Sequence, residues 1–100
     1  MKDWDEILTS ASKEERDTLF YDALLDVAGL DIMEDRYTLD EFVGGVLKLV
    51  SVAPRAGAVW LREELQEEGR DITAEEALAL SDEHKRTLIR EFIEKGFFSA

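Results

Sequence analysis

Carboxylates are the side chains of this sequence with the greatest capacity for chemistry. Aspartate and glutamate number 24 against 12 lysines and arginines, which gives a net charge of −12. The window from Asp17 to Asp35 holds no basic residue, and its acids are Asp17, Asp22, Asp26, Asp31, Glu34 and Asp35. Such charge attracts basic partners. It opposes direct binding to the phosphates of nucleic acids and to anionic membranes.

A second acidic group precedes Gly69 and consists of Glu63, Glu64, Glu67 and Glu68. Residues four apart on a helix face each other, so these carboxylates form like-charged pairs at some energetic cost. Carboxylate di-metal sites in helical bundles use a Glu-x-x-His spacing, and the one histidine, His84, does not provide it. The group therefore predicts a solvated helix face and no metal site.

The segment 30–42 invites comparison with a calcium-binding EF-hand. Its ending, Tyr37-Thr38-Leu39-Asp40-Glu41-Phe42, resembles the exit of an EF-hand. The loop motif needs oxygen ligands at alternating positions, a glycine at the sixth and a glutamate at the twelfth. Counted from Asp31, the third, sixth and twelfth positions are Met33, Arg36 and Phe42. We expect an interhelical loop whose acids cap the next helix, with a degenerate EF-hand-like module as an alternative.

The remaining polar residues do not predict catalysis. A nucleophile must lie beside a base that a third group orients. The chain has no cysteine and one histidine, and the nearby Ser81 is better explained as a helix N-cap. Gly44-Gly45 is not followed by the Lys-Ser/Thr pair of a phosphate-binding loop. We expect no enzymatic activity and no cofactor.

Signals at helix ends define the elements that position these residues. Ser or Thr followed three residues later by Glu predicts capping boxes at Ser12/Glu15, Thr38/Glu41 and Thr73/Glu76. Glycines predict left-handed helix ends, with a Schellman motif expected at Gly29 and Gly96 and a poorer fit at Gly69. Pro54 separates two helices. The predicted helices span residues 3–10, 13–28, 39–52, 55–68, 74–80 and 82–95.

Apolar periodicity then predicts the fold. Helix 39–52 is apolar around most of its circumference, which favours a central and nearly buried position. Its adjacent glycines, Gly44 and Gly45, cost roughly 1–2 kcal/mol relative to alanine. Close contact with a neighbouring helix would offset that cost, and a bend or π-bulge is the alternative. The fold class is all-α: residues 1–100 are expected to form a compact single-domain bundle of about five to six short helices.

Two aromatic residues are candidates for contact with a partner. Tyr21 lies beside Asp17, Asp22 and Asp26 on one helix, and tyrosine on a polar rim is a typical interface anchor. Phe98 is expected either to dock on a partner or to fold back over Trp4 or the last helix. Most other aromatic residues, Phe20 and Trp60 among them, are expected in the core.

We therefore predict a small acidic, non-enzymatic interaction protein that binds a basic, nucleic-acid-binding protein and blocks it. Asp22 and Asp26 are four residues apart, so a helix separates them by about 6 Å along its axis, near the interval between successive phosphates. In charge and size the chain resembles virus-encoded inhibitors of nucleic-acid-guided defence and repair enzymes. The predicted contact residues are Asp17, Tyr21, Asp22, Asp26, Glu63, Glu64, Glu67 and Phe98.

The alternative function is a structural, assembly or regulatory adaptor, similar to a viral assembly chaperone. Such a module would bind through an apolar surface, and its charge would only keep it soluble. The absence of cysteine fits a reducing compartment, and no apolar run approaches the ~20 residues that span a bilayer. We expect a cytoplasmic protein with no membrane partner, and the sequence leaves its oligomeric state open.

Overall fold

The computed structural model describes residues 2–31, 34 and 36–96. Over these residues the chain forms six α-helices and no strand: α1 (Trp4–Ser10), α2 (Lys13–Ala28), α3 (Leu39–Val52), α4 (Pro54–Glu67), α5 (Ala74–Leu78) and α6 (Asp82–Gly96). The Cα radius of gyration is 12.7 Å, close to the ~13 Å expected of a compact chain of this length. The predicted all-α bundle is confirmed, although α5 ends at Leu78 rather than at residue 80.

The helices begin where their capping residues predict. At the start of α3 the Thr38 hydroxyl accepts from the Glu41 N–H at 3.1 Å, and the Glu41 carboxylate accepts from the Thr38 N–H at 3.4 Å. The same reciprocal pair opens α5 at Thr73. Ser81 accepts from the His84 N–H at 3.1 Å, which confirms its role as an N-cap. These bonds satisfy donors that a helix start leaves free.

The helix ends correct one prediction. Gly29 and Gly69 both adopt the left-handed conformation, with φ of 66° and 81°. The full Schellman pair forms at Gly69, the poorer candidate: the Arg70 N–H donates to Leu65 O at 2.8 Å and the Gly69 N–H to Gln66 O at 3.0 Å. At Gly29 the N–H of the following residue donates to a carbonyl one position earlier in the chain than the Schellman motif requires. The motif predicted at Gly96 includes Phe97, which lies outside the described residues.

α3 is the central helix of the bundle and packs against α2, α4 and α6. Its buried residues are Phe42, Val43, Gly45, Val46, Leu49 and Val50. Only a narrow edge, which includes Lys48 and Ser51, is exposed. The prediction of a nearly buried third helix is therefore confirmed. α2, α4 and α6 pack directly against it, whereas α1 and α5 pack mainly on α4.

Two glycines allow close contact with neighbouring elements. A Cβ on Gly45 would lie 3.1 Å from Leu30 Cδ2 and 3.5 Å from Ala28 Cβ, so the predicted close contact is confirmed at this residue. A Cβ on Gly57 would lie 2.7 Å from Val50 Cγ1, where α4 meets α3. A Cβ on Gly44 would have no described atom within 4 Å apart from its own helix backbone, so contact explains only one of the two adjacent glycines.

α4 takes its N-terminal cap from another helix. Its N-cap residue, Ala53, makes no side-chain bond, and Pro54 occupies the first turn. Asp5 on α1 accepts from the Ala56 N–H at 2.9 Å and from Arg55 Nε at 2.8 Å. Burial acts to raise the pKa of Asp5, but these hydrogen bonds and the charge of Arg55 outweigh it and hold the pKa below its usual value.

Candidate functional site

A cavity of about 280 Å³ opens where α2, α4 and α6 meet over the central helix α3. Its floor includes the core residues Phe42, Val46 and Leu49, all of which are almost completely buried. A buried cavity of ~150 Å³ admits benzene, while typical ligand cavities measure ~300–1,000 Å³. The size therefore suits one or two side chains of a partner better than a large cofactor.

Aromatic rings form the accessible wall of the cavity. Phe20 of α2 and Trp60 of α4 stack with centroids 5.7 Å apart, and Trp60 meets Phe92 of α6 edge-on at 5.8 Å. Tyr21 contacts Phe20 edge-on at 6.3 Å and is 36% exposed. A bound side chain would therefore meet π-faces or ring edges as well as aliphatic atoms.

Helical spacing brings the wall and the rim together. On α2 the residues that line the cavity are Arg16, Asp17, Phe20 and Tyr21, and on α4 they are Ala56, Gly57, Trp60, Glu63 and Glu64. Both sets recur at three- and four-residue intervals, which places each set along one helix face. The two faces meet because α2 and α4 both pack on α3.

The rim of the cavity is acidic and holds one internal ion pair. Arg16 of α2 lies 3.0 Å from Glu63 of α4, with side chains only 17% and 25% exposed. Asp17 and Glu64 also line the cavity, and among the described residues no salt bridge reaches either of them. The rim therefore carries more negative than positive charge.

The ionised form of Glu64 is energetically unfavourable in the folded protein. Partial burial is the largest influence that raises its pKa, followed by the charges of Glu67 and Glu63, and Asp17 adds to the effect. Lys13 partly offsets the rise. Burial and like charges both disfavour an ionised carboxylate, so a cation placed beside Glu64 would remove an unfavourable interaction as well as form a favourable one.

A shallower hollow continues from the rim toward the end of α6. Glu64, Glu67, Glu68, Phe92 and Lys95 line it. Lys95 Nζ lies 2.5 Å from Glu68, and Lys13 Nζ lies 3.9 Å from Glu67. The hydrogen bond to Glu68 raises the pKa of Lys95 above its usual value. Glu67 and Glu68 therefore each have a lysine within salt-bridge distance.

The structure brings four of the predicted contact residues together: Asp17, Tyr21, Glu63 and Glu64 all line the cavity. Asp22 is exposed on α2 but does not line it, and Glu67 borders the neighbouring hollow. Asp26 accepts a hydrogen bond from Trp4 Nε1 at 2.6 Å, so it holds α1 against α2. Phe98 lies outside the described residues.

Four residues of the rim and the aromatic wall are not among the predicted contact residues: Arg16, Phe20, Trp60 and Phe92. The sequence predicts Phe20 and Trp60 as core residues, and both pack against the core while remaining only partly buried. The sequence indicates these residues only indirectly: on both α2 and α4 an aromatic residue lies three or four positions from an acid. This pattern identifies a shared site only when the relative position of the two helices is known.

Neither a metal site nor a membrane-spanning helix is found in the part of the chain that the structure describes. No group of three His, Cys, Asp or Glu residues there is arranged to hold a metal ion. Within the same residues, no helix has both the length and the apolarity to cross a bilayer. Residues 32, 33 and 35 of the segment 30–42 are outside the described set, so the calcium-module alternative stays a prediction.

Comparisons with known proteins give no independent guide. No protein-family model matches the chain, and the comparisons with curated proteins and with solved structures found no match. The cavity and its charges are therefore the features that bear on function.

Proposed function

We propose that this is a non-enzymatic interaction protein that binds a basic, nucleic-acid-binding protein at the face shared by α2 and α4, and so blocks access of nucleic acid. The observation that carries the proposal is the cavity rim, where Asp17 and Glu64 adjoin an aromatic wall. Oppositely charged surfaces steer association and fix register. Aromatic rings provide the contact area on which interface energy concentrates.

The charge balance of the whole chain supports this proposal. With 24 acids and 12 bases, pairing every base would still leave acids in excess. Several bases are already engaged within the fold: Arg16, Arg55, Arg90 and Lys95 each lie within salt-bridge distance of a carboxylate. Basic residues supplied by a partner would neutralise the excess that the chain itself cannot.

Mimicry of nucleic acid is the mechanism that this charge suggests, with one change to the contact surface. Asp26 accepts a hydrogen bond from Trp4 and Asp22 does not line the cavity, so Asp17 is the carboxylate that α2 presents there. Glu64 of α4 lies at the same rim. These carboxylates on two adjacent helices would compete with the phosphates of a nucleic acid for the same basic residues.

A competition experiment tests the proposal. A partner isolated by affinity capture should release bound DNA or RNA when this protein is added, and its affinity for the protein should fall as salt rises. Asp17→Lys with Glu64→Lys should weaken binding at least ~tenfold, a loss of about 1.4 kcal/mol. Glu75→Lys with Glu83→Lys, an equal charge change on α5 and α6, should weaken it much less. Equal effects of both pairs, or salt-independent binding, would contradict the proposal.

An adaptor that binds through apolar contact is the second candidate function. Leu25 is 51% exposed and lies one turn from Tyr21 on α2, so this helix also offers an apolar surface. Binding of that kind should change little with salt, and Leu25→Ser or Phe98→Ala should weaken it. A salt titration therefore separates the two candidates before any variant is made.

A further inference from the structure

Arg16 shows what the cavity can hold. Its guanidinium lies 3.0 Å from Glu63, its side chain is only 17% exposed, and it lines the same cavity as Phe20 and Trp60. The site thus already accommodates one arginine of its own chain, paired with a carboxylate and close to aromatic rings. Asp17 and Glu64 repeat these surroundings at the same rim, and no salt bridge within the described residues occupies them.

We infer that the cavity receives a second guanidinium, an arginine side chain of the basic partner, which enters between Asp17 and Glu64 beside Trp60. This inference rests on the proposed function and names the residue that the partner contributes. Asp17 belongs to α2 and Glu64 to α4, so an arginine between them would bridge the two helices. It would do so as Arg16 and Glu63 already do within the same rim.

The chemistry of the site favours arginine over an apolar side chain. An apolar group at the rim would remove water from Asp17 and Glu64 and offer them no hydrogen bond, which is costly for carboxylates. Partial burial and neighbouring acids already disfavour the charge of Glu64. A cation relieves that repulsion, while the aliphatic stem of an arginine still contacts the rings.

The same surroundings favour arginine over lysine. A guanidinium is planar, is more weakly hydrated than an ammonium, stacks on aromatic rings and can pair with two carboxylates at once. Trp60 lines the cavity and is only partly buried, so a planar group at the rim has its ring to stack on. An ammonium would gain the charge interaction but less of the stacking.

Short oligoarginine and oligolysine peptides of equal length provide the probe. Calorimetry on the full chain should show the arginine peptide binding several-fold more tightly than the lysine peptide. The double variant Asp17→Asn/Glu64→Gln should lose about tenfold in affinity for the arginine peptide. A matched control, Glu75→Gln/Glu83→Gln, removes two exposed charges from α5 and α6 outside the cavity, and we expect it to lose no more than about twofold.

The two tryptophans supply an independent readout by NMR. The Trp60 indole resonance should move on addition of oligoarginine, because Trp60 lines the cavity. The Trp4 indole is bonded to Asp26 and serves as an internal reference that should stay in place. This measurement uses the unmodified protein, so it holds even if the double variant folds poorly.

The outcomes separate this inference from the proposed function. If neither peptide binds, the proposed function fails. If both peptides bind equally, if the control variant loses as much as the cavity variant, or if the Trp60 resonance stays fixed, the arginine site is wrong. In those three cases the proposed function is not contradicted, because the protein would still bind basic partners through its overall negative charge.

Discussion

The two halves of α4 use charge in opposite ways. In the first half, Asp5 of α1 accepts from both Arg55 and the Ala56 N–H, so each charged group faces a partner of the opposite kind. In the second half, Glu63 is paired with Arg16, while Glu64 lines the same cavity with its pKa raised. Charged groups at the first half of α4 therefore stabilise the fold, whereas the second half carries more negative charge than its ion pairs neutralise.

Packing changes along the face of α4 that borders the cavity of about 280 Å³. Gly57 and Val50 line this cavity, and a Cβ on Gly57 would lie 2.7 Å from Val50 Cγ1. Further along the same face, Trp60, Glu63 and Glu64 are only partly buried. The close contact holds α4 against α3, and the partly exposed residues are the ones that a partner can reach.

The largest expected effect tests the tightness of the first half. Gly57→Ala should destabilise the protein by about 1–2 kcal/mol, because overpacking a stiff β-branched neighbour outweighs the gain in helix propensity. Val50 is buried and its three nearest atoms would lie 2.7–3.1 Å from the new Cβ. Urea denaturation monitored by circular dichroism measures the change.

Gly44→Ala is the matched control for that substitution. It makes the same change in a helix, but nothing lies within 4 Å of the added Cβ. We expect a gain of up to about 1 kcal/mol from helix propensity alone. If the two variants change stability in the same direction, the seam between α3 and α4 is looser than the distances indicate.

The next effect tests the charge pairing of the first half. Asp5→Ala removes the acceptor of the Ala56 N–H and of Arg55 and should cost about 1–2 kcal/mol at neutral pH, as the loss of a helix cap does. Glu14→Ala, at an exposed residue of α2, should change stability by less than about 0.5 kcal/mol. Equal losses in the two variants would contradict the role given to Asp5.

The same variant has a defined dependence on pH. The folded protein holds the pKa of Asp5 below its usual value, so this contribution is complete above the usual carboxyl pKa and is lost as pH falls through the lowered one. The stability difference between Asp5→Ala and the unmodified protein should therefore shrink in strong acid. Denaturation curves collected across that range measure it, and a constant difference would show that charge plays no part.

The sequence predicts the elements of this fold far better than it predicts the site. Capping boxes such as Thr38/Glu41 act over three residues and so can be read locally. The cap that Asp5 provides for α4 joins residues 51 apart in the chain, and no local pattern indicates it. The cavity depends on how α2 and α4 cross over α3, so the sequence predicts the acids on its rim and Tyr21, but neither its arginine nor the other aromatic rings of its wall.

The smallest expected effect tests the excess charge of the second half. Partial burial and the nearby Glu67 and Glu63 raise the pKa of Glu64, so the ionised side chain opposes folding at neutral pH. Glu64→Gln should stabilise the protein by about 0.2–0.5 kcal/mol, the size of like-charge repulsion between helix neighbours, since solvent screens a half-exposed group. The gain should fade as pH falls below the usual pKa of glutamate, where both side chains are neutral.

Asp71→Asn is the control for this substitution. Asp71 is exposed between α4 and α5 and is not among the charges that raise the pKa of Glu64, so its neutralisation should bring no gain. If Glu64→Gln both stabilises the fold and weakens binding of oligoarginine, the charge of Glu64 opposes folding and favours binding, as functional residues often do. If it stabilises the fold and leaves binding unchanged, the excess acid on the second half of α4 serves solubility alone.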